Sequence, residues 1–148
     1  MPTVVVASDA DWVRNHVRAA LCGPGFEVID VTSGHDVRQV VADKEPDLAI
    51  VDLQIANMGG MAVAIDLRLE ESGGRLPHVP ILLLLDREAD KFLARRSTAD
   101  AMLVKPIDAG TLRRTVKSLL AAEEQRKPAE TPPDSPPETP SGAEEQVG

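Results

Sequence analysis

The chain has 148 residues, a net charge of −8, 43% hydrophobic residues and 2% aromatics. That length suits one domain with a real core, and so few flat side chains argue against a stacking surface for bases or a flavin. The negative charge disfavours nonspecific DNA binding, and the single Cys22 excludes an internal disulfide and a CxxC metal site.

At the N-terminus, MPTVVVASDAD has neither a basic segment nor a long apolar run, so no signal peptide is read. TVVVA (3–7) is a continuous β-branched run, the pattern of a strand covered on both faces. Val13, Val17, Ala20 and Leu21 recur at helical spacing up to the stop Gly23-Pro24-Gly25, with Cys22 a small buried apolar residue near the helix end. FEVIDV (26–31) is a second strand. Thr32 or Ser33 caps a helix through Lys44, with Val37, Val40 and Val41 inward. DLAIVD (47–52) is the third strand, followed by a helix from Met61 to Glu71 that stops at Gly73-Gly74. PILLLL (80–85) is the fourth strand and too short to cross a membrane. Asp86 then caps a helix to about Ser97 or supplies a carboxylate at the strand end; both readings stay open. AMLV (101–104) is the fifth strand, and Asp108 caps a last helix to about Ala122.

Five strand–helix units in a row predict a parallel α/β sheet with helices on both faces. Right-handed crossovers leave few strand orders, of which 2-1-3-4-5 is favoured. The cleft then opens at the carboxyl ends of strands 1 and 3. Ser8 and Asp9, Asp52, Asp86 and Lys105 all fall at that edge. Paired carboxylates with a loop carbonyl are hard oxygen donors of the kind Mg²⁺ takes, with a phosphate as a further ligand. A lysine there neutralises phosphoryl oxygens, and Asp52 would be the nucleophile that forms an acyl phosphate.

Asp9 after VVVA, Arg14, Asp52 after LAIV, Gly60 and the LVKP run with Lys105 together resemble a response-regulator receiver domain over about residues 3–120. The resemblance implies a flavodoxin-like (βα)5 three-layer sandwich. It implies Asp52 as phosphoacceptor, Lys105 as the phosphate-binding lysine, a cis bond before Pro106, and a metal site of Asp9, Asp52 and the Gln54 backbone carbonyl. The chain departs from the family at four places. Ser8 stands where a second acid is usual, so Mg²⁺ binding is expected to be weak; Ser8 either caps the first helix or joins the site. Leu85 stands where a Thr or Ser hydroxyl carries the switch, and Met102 replaces its aromatic partner. Ala56 replaces a common proline. Trp12 is expected to cover the rim of the site. His16, His35 and His78 lie on separate elements, so a histidine metal cluster is not expected.

From Ala121 the composition changes. The last 28 residues hold six prolines and seven acids against two bases, and are read as a disordered acidic tail (123–148) after a domain of 1–122. Its Thr131, Ser135 and Thr139 each precede a proline, a weak modification signal. Lys91, Arg95, Arg96, Arg113, Arg114 and Lys117 mark helices 4 and 5 as a basic partner face, which the tail would cover or through which two copies would pair. The expected function is a stand-alone cytoplasmic receiver, not an enzyme and with no DNA-binding output. It takes a phosphoryl group from a histidine kinase or phosphotransfer protein and signals to an output protein that the sequence does not name. The alternative is a phosphorylation-independent interaction module. The missing phosphate loop and aromatics disfavour a third reading, a small flavodoxin-like cofactor carrier.

Overall fold

The computed structural model describes residues 1–21 and 25–126; the readings for Cys22, for the Gly23-Pro24 stop and for the tail from Lys127 lie outside the described residues. Ten elements alternate: β1 (Thr3–Ala7), α1 (Asp11–Ala20), β2 (Glu27–Val31), α2 (Gly34–Lys44), β3 (Leu48–Asp52), α3 (Gly60–Ser72), β4 (Ile81–Leu85), α4 (Asp90–Ala94), β5 (Ala101–Val104) and α5 (Ala109–Arg126). All strand pairs are parallel and the order is β2-β1-β3-β4-β5, as the crossover rule predicts. No helix among the described residues is long and apolar enough to cross a membrane.

Two apolar layers flank the sheet. Side chains alternate along each strand, so one row (Val5, Ala49, Val51, Leu83) packs against α2, α3 and α4, and the other (Val4, Val6, Ile50, Leu84) against α1 and α5. Every residue of β3 and β4 is buried, which is why these runs are apolar without a break.

Local chemistry sets the element ends. Ser33 caps α2 by accepting the His35 N–H at 3.2 Å, and Asp108 accepts the Thr111 N–H at 2.8 Å before α5. Two helices differ from expectation. α4 begins at Asp90, not at Asp86, and spans only five residues. The buried Asp90 carboxylate reaches back to the Arg87 N–H at 3.0 Å and pairs with the Arg87 guanidinium, while Ser97 Oγ donates to the Ala94 carbonyl at 2.6 Å. Both side chains compete with the backbone ladder. α5 instead runs to Arg126, four residues past Ala122. Its last turn is held from below: Glu123 lies 3.3 Å from His78 Nε2 and 3.6 Å from Arg126.

Candidate functional site

The register assembles the site. Ala7 pairs with Val51, so the next residues, Ser8 and Asp52, lie side by side at the ends of β1 and β3. Leu85 pairs with Val104, and Lys105 N donates to the Leu85 carbonyl at 2.8 Å, which sets Lys105 at the same edge. Asp52 is only 2% exposed. A buried carboxylate needs partners, and Asp52 has three: Ser8 Oγ donates to its Oδ2 at 2.7 Å, Lys105 Nζ to its Oδ1 at 2.7 Å, and the Gln54 N–H to Oδ1 at 3.1 Å.

Lys105 Nζ also reaches Asp86 Oδ1 at 3.0 Å. Burial works against the ammonium, but the hydrogen bonds and charges of Asp52 and Asp86 outweigh it and raise the Lys105 pKa. The Trp12 ring lies over this ammonium, with Nζ 5.8 Å from its centroid, and is 59% exposed. Trp12 therefore stands at the rim of the pocket, as expected. The Lys105-Pro106 bond is cis.

Of the two readings left for Ser8 and for Asp86, the contacts follow the second. Ser8 does not cap α1 as a side-chain cap of its N-cap residue: that residue is Ala10, with no side-chain cap bond of its own. The Ser8 hydroxyl, fully buried, accepts the Ala10 N–H at 3.1 Å and points its proton at Asp52. Asp86 precedes α4 by four residues and spends its carboxylate on Lys105. Asp9 is exposed at the same strand end. Leu85 is fully buried in the apolar layer under α2 to α4, with Met102 packed against it from the partly buried rim of that layer.

The sequence missed two supports. Arg14 Nη1 donates to the Ser8 carbonyl at 2.6 Å, and the His16 ring donates through Nε2 to the Ile107 carbonyl. The only signal for the second was the i, i+4 spacing of Trp12 and His16, which places both on one side of α1. The basic residues do not form one face. Arg113 donates to the Ala20 carbonyl at 3.2 Å, so its side of α5 faces α1, and Lys117 follows one turn on. Lys91 pairs with Glu88 at 3.2 Å, Arg96 lies over the Phe92 ring, and Arg95 is exposed beside it at the C-terminal end of α4. Arg114 points outward and donates to Thr111.

The donor set fits Mg²⁺ in a limited way. Asp9, Asp52 and the Gln54 carbonyl are hard oxygens, and Mg²⁺ is held through one or two carboxylates plus waters and phosphate rather than a full protein cage. No group of three or more His, Cys, Asp or Glu side chains among the described residues forms a metal cage.

The response regulator receiver domain family matches the chain over residues 4–117. This chain belongs to the receiver family. Among similar proteins, the KDP operon transcriptional regulatory protein KdpE of Escherichia coli is 31% identical over 136 residues, covering 90% of this chain and 56% of that protein. Protein PilH of Pseudomonas aeruginosa is 26% identical, covering 82% of this chain and 99% of PilH. The chain spans about half the length of the transcriptional regulators it matches, such as AfsQ1 of Streptomyces coelicolor at 54%. Among solved structures, a response regulator from Chloroflexus aurantiacus has a TM-score of 0.73 at 27% identity, covering 81% of this chain and 98% of that one. The receiver domain of sensor kinase PA1611 of P. aeruginosa, which carries a magnesium ion in its active-site cleft, shares the fold with a TM-score of 0.71 at 20% identity, covering 81% and 98%. Receivers are signalling modules of two-component systems.

Proposed function

We propose that this receiver accepts a phosphoryl group on Asp52 from a histidine kinase or phosphotransfer protein and signals by protein–protein contact. The observation that carries the reading is the Asp52 carboxylate itself. It is buried at the carboxyl end of β3 and kept company by one ammonium at 2.7 Å. A buried ion cluster is weak evidence for stability, so its placement there speaks for chemistry.

In the transfer, an Asp52 oxygen attacks phosphorus in line, the new P–O bond forms, and the P–N bond to the donor imidazole breaks. The imidazole nitrogen keeps the electron pair. Lys105 shifts from the carboxylate toward the phosphoryl oxygens, where its point charge offsets the developing negative charge. The Gln54 N–H keeps the carboxylate oriented through the exchange. Asp9, Asp52 and the Gln54 carbonyl would hold Mg²⁺, which when bound neutralises phosphoryl charge. With Ser8 in place of a second acid, that affinity is weak. Asp86, tied to Lys105, keeps the ammonium at the mouth once Asp52 is modified. The chain acts here as acceptor rather than as an enzyme turning over a substrate, in a cytoplasmic setting. The acidic stretch beyond α5, residues 127–148, is the candidate for screening the basic side chains of α5 and of the segment around α4.

The test is intact-protein mass after incubation with Mg²⁺ and acetyl phosphate, with Asp52→Asn as control. One phosphoryl adduct on wild type alone supports the reading. No adduct from acetyl phosphate or from a phosphotransfer protein returns the phosphorylation-independent module.

A further inference from the structure

The pocket and its usual readout positions lie on opposite faces of this sheet. Val6, Ile50, Leu84 and Leu103 belong to the layer under α1 and α5. Asp52 stands two residues beyond Ile50 in β3, so strand alternation puts it on that same side, and Ser8 and Lys105 bond it there, with Asp86 on Lys105. Leu85 and Met102 belong to the other layer. Leu85 has no polar atom, and among the described residues no hydrogen bond joins α4 to Ser8, Asp52 or Lys105. α1, by contrast, is tied to the pocket at four points. Ala10 N–H bonds Ser8 Oγ, Arg14 bonds the Ser8 carbonyl, Trp12 covers Lys105, and His16 bonds the carbonyl of Ile107, two residues past Lys105.

We infer that Ser8 is the switch residue of this receiver and relays the state of Asp52 to α1 and its seam with α5. A serine hydroxyl has one proton to give and lone pairs to accept with. Here the proton goes to the Asp52 carboxylate at 2.7 Å and a lone pair takes the Ala10 N–H at 3.1 Å. A bond donated to a charged acceptor polarises the hydroxyl oxygen and makes it a better acceptor for Ala10. When Asp52 becomes an acyl phosphate, its own oxygens lose that charge and the phosphoryl oxygens carry it. The Ser8 hydroxyl turns to them and releases the Ala10 N–H. The entry to α1 is then re-set, and Trp12, Arg14 and the Arg113 side of α5 move with it. The trigger rests on the phosphoacceptor reading; the chain of contacts from Asp52 through Ser8 to Ala10 is present in the unmodified protein.

The experiment uses the full chain, metal-free and without phosphodonor, and reads amide hydrogen exchange of Ala10 and Asp11 by NMR in wild type, Asp52→Asn, Ser8→Ala and the double variant. Asp52→Asn removes the charge that polarises Ser8 and, with its oxygen kept by Lys105, turns an amide N–H to the hydroxyl oxygen that holds Ala10, so Ala10 exchange should quicken up to about fivefold, the worth of one ordinary hydrogen bond. In the Ser8→Ala background Asp52→Asn should change Ala10 exchange by less than about half that factor, the sign of a coupling routed through the hydroxyl. Ser8→Thr keeps the hydroxyl and should restore the response. Equal Asp52→Asn effects with and without the Ser8 hydroxyl would overturn the inference, as would a response seen at Met102 and α4 but not at Ala10. A parallel sample with Mg²⁺ and acetyl phosphate, read by mass and by fluorescence of Trp12, the single tryptophan, separates the two claims. Loss of the adduct there overturns the phosphoacceptor reading alone, since the metal-free arm needs no phosphate.

Discussion

At the scale of single residues, the ion pair of Lys105 and Asp52 makes the first test of the pocket. The Lys105 side chain is 11% exposed and Asp52 is 2% exposed. Removing one partner of a buried pair leaves the other uncompensated, at roughly 3–5 kcal/mol. Water at the mouth screens part of this, so Lys105→Met should cost about 2 kcal/mol at neutral pH, read from urea unfolding. The folded pKa of Lys105 lies above the unfolded value of 10.5. Its contribution is therefore fully present below that value and is lost as pH rises through the raised one. The stability gap between wild type and Lys105→Met should stay constant from neutral pH to about pH 9 and close above the ordinary lysine range of about 10.4. Ser8→Asp makes the opposite change. It sets a second carboxylate against Asp52, so the metal-free variant should be less stable than wild type, and Mg²⁺ should restore it by linkage. Trp12 fluorescence titration should show Mg²⁺ binding at least ~tenfold tighter, because affinity of such sites follows ligand charge. Asp52 and Lys105 were legible in the sequence because a charge at the end of an apolar strand gains nothing from the core and so marks a site at the sheet edge. The dual role of Ser8 was not, since a small polar residue before a helix reads equally well as a cap.

At the scale of elements, close backbone approaches matter more than propensity. The first residue of α3, Gly60, donates its N–H to the Leu53 carbonyl at 3.0 Å. A Cβ there would lie 2.6 Å from the Asp52 carbonyl oxygen and 2.7 Å from the Leu53 Cα. Both are backbone atoms that cannot rotate away, so Gly60→Ala should destabilise the fold by about 2–3 kcal/mol. Because the strain falls on the Asp52 peptide, the same variant should take up phosphoryl from acetyl phosphate more slowly than wild type, by mass against time. A Gly60→Ala protein with unchanged stability would mean that α3 is free to slide from β3. The strands and the first three helices lie close to where the apolar runs and their polar or glycine stops put them. The short α4 does not, because the decisive bonds of Asp90 and Ser97 run backward along the chain and leave no periodic trace. The extra turn of α5 was hidden for a related reason: His78, 45 residues earlier, holds Glu123.

At the scale of the whole molecule, paired and unpaired cations fall largely on different helices. The arginines of α1, α2 and α3 sit against carboxylates: Arg18 on Asp30, Arg38 on Asp66, Arg68 on Asp100. Arg95 and Arg96, just past α4, and Arg113, Arg114 and Lys117 on α5, have no ion-pair partner among the described residues. The sequence shows these cations but not their division, because the side of α5 that Arg113 takes is set by the Ala20 carbonyl on another element. Bare cations of this kind suit an acidic surface. They do not suit a second copy of the chain, since a two-fold interface sets each patch against itself. Like charges then repel across the interface, and the net charge of −8 on each copy adds to the repulsion at long range. The unphosphorylated chain should therefore be a monomer of 15.8 kDa by light scattering. Any weak self-association should grow as salt shortens the screening length from about 30 Å to about 8 Å, because salt then removes repulsion. Binding to an acidic partner should respond to salt in the opposite direction. A stable dimer at low salt would show that acids of the same face interleave with these cations, and would move the contact surface away from the bare side chains of α4 and α5.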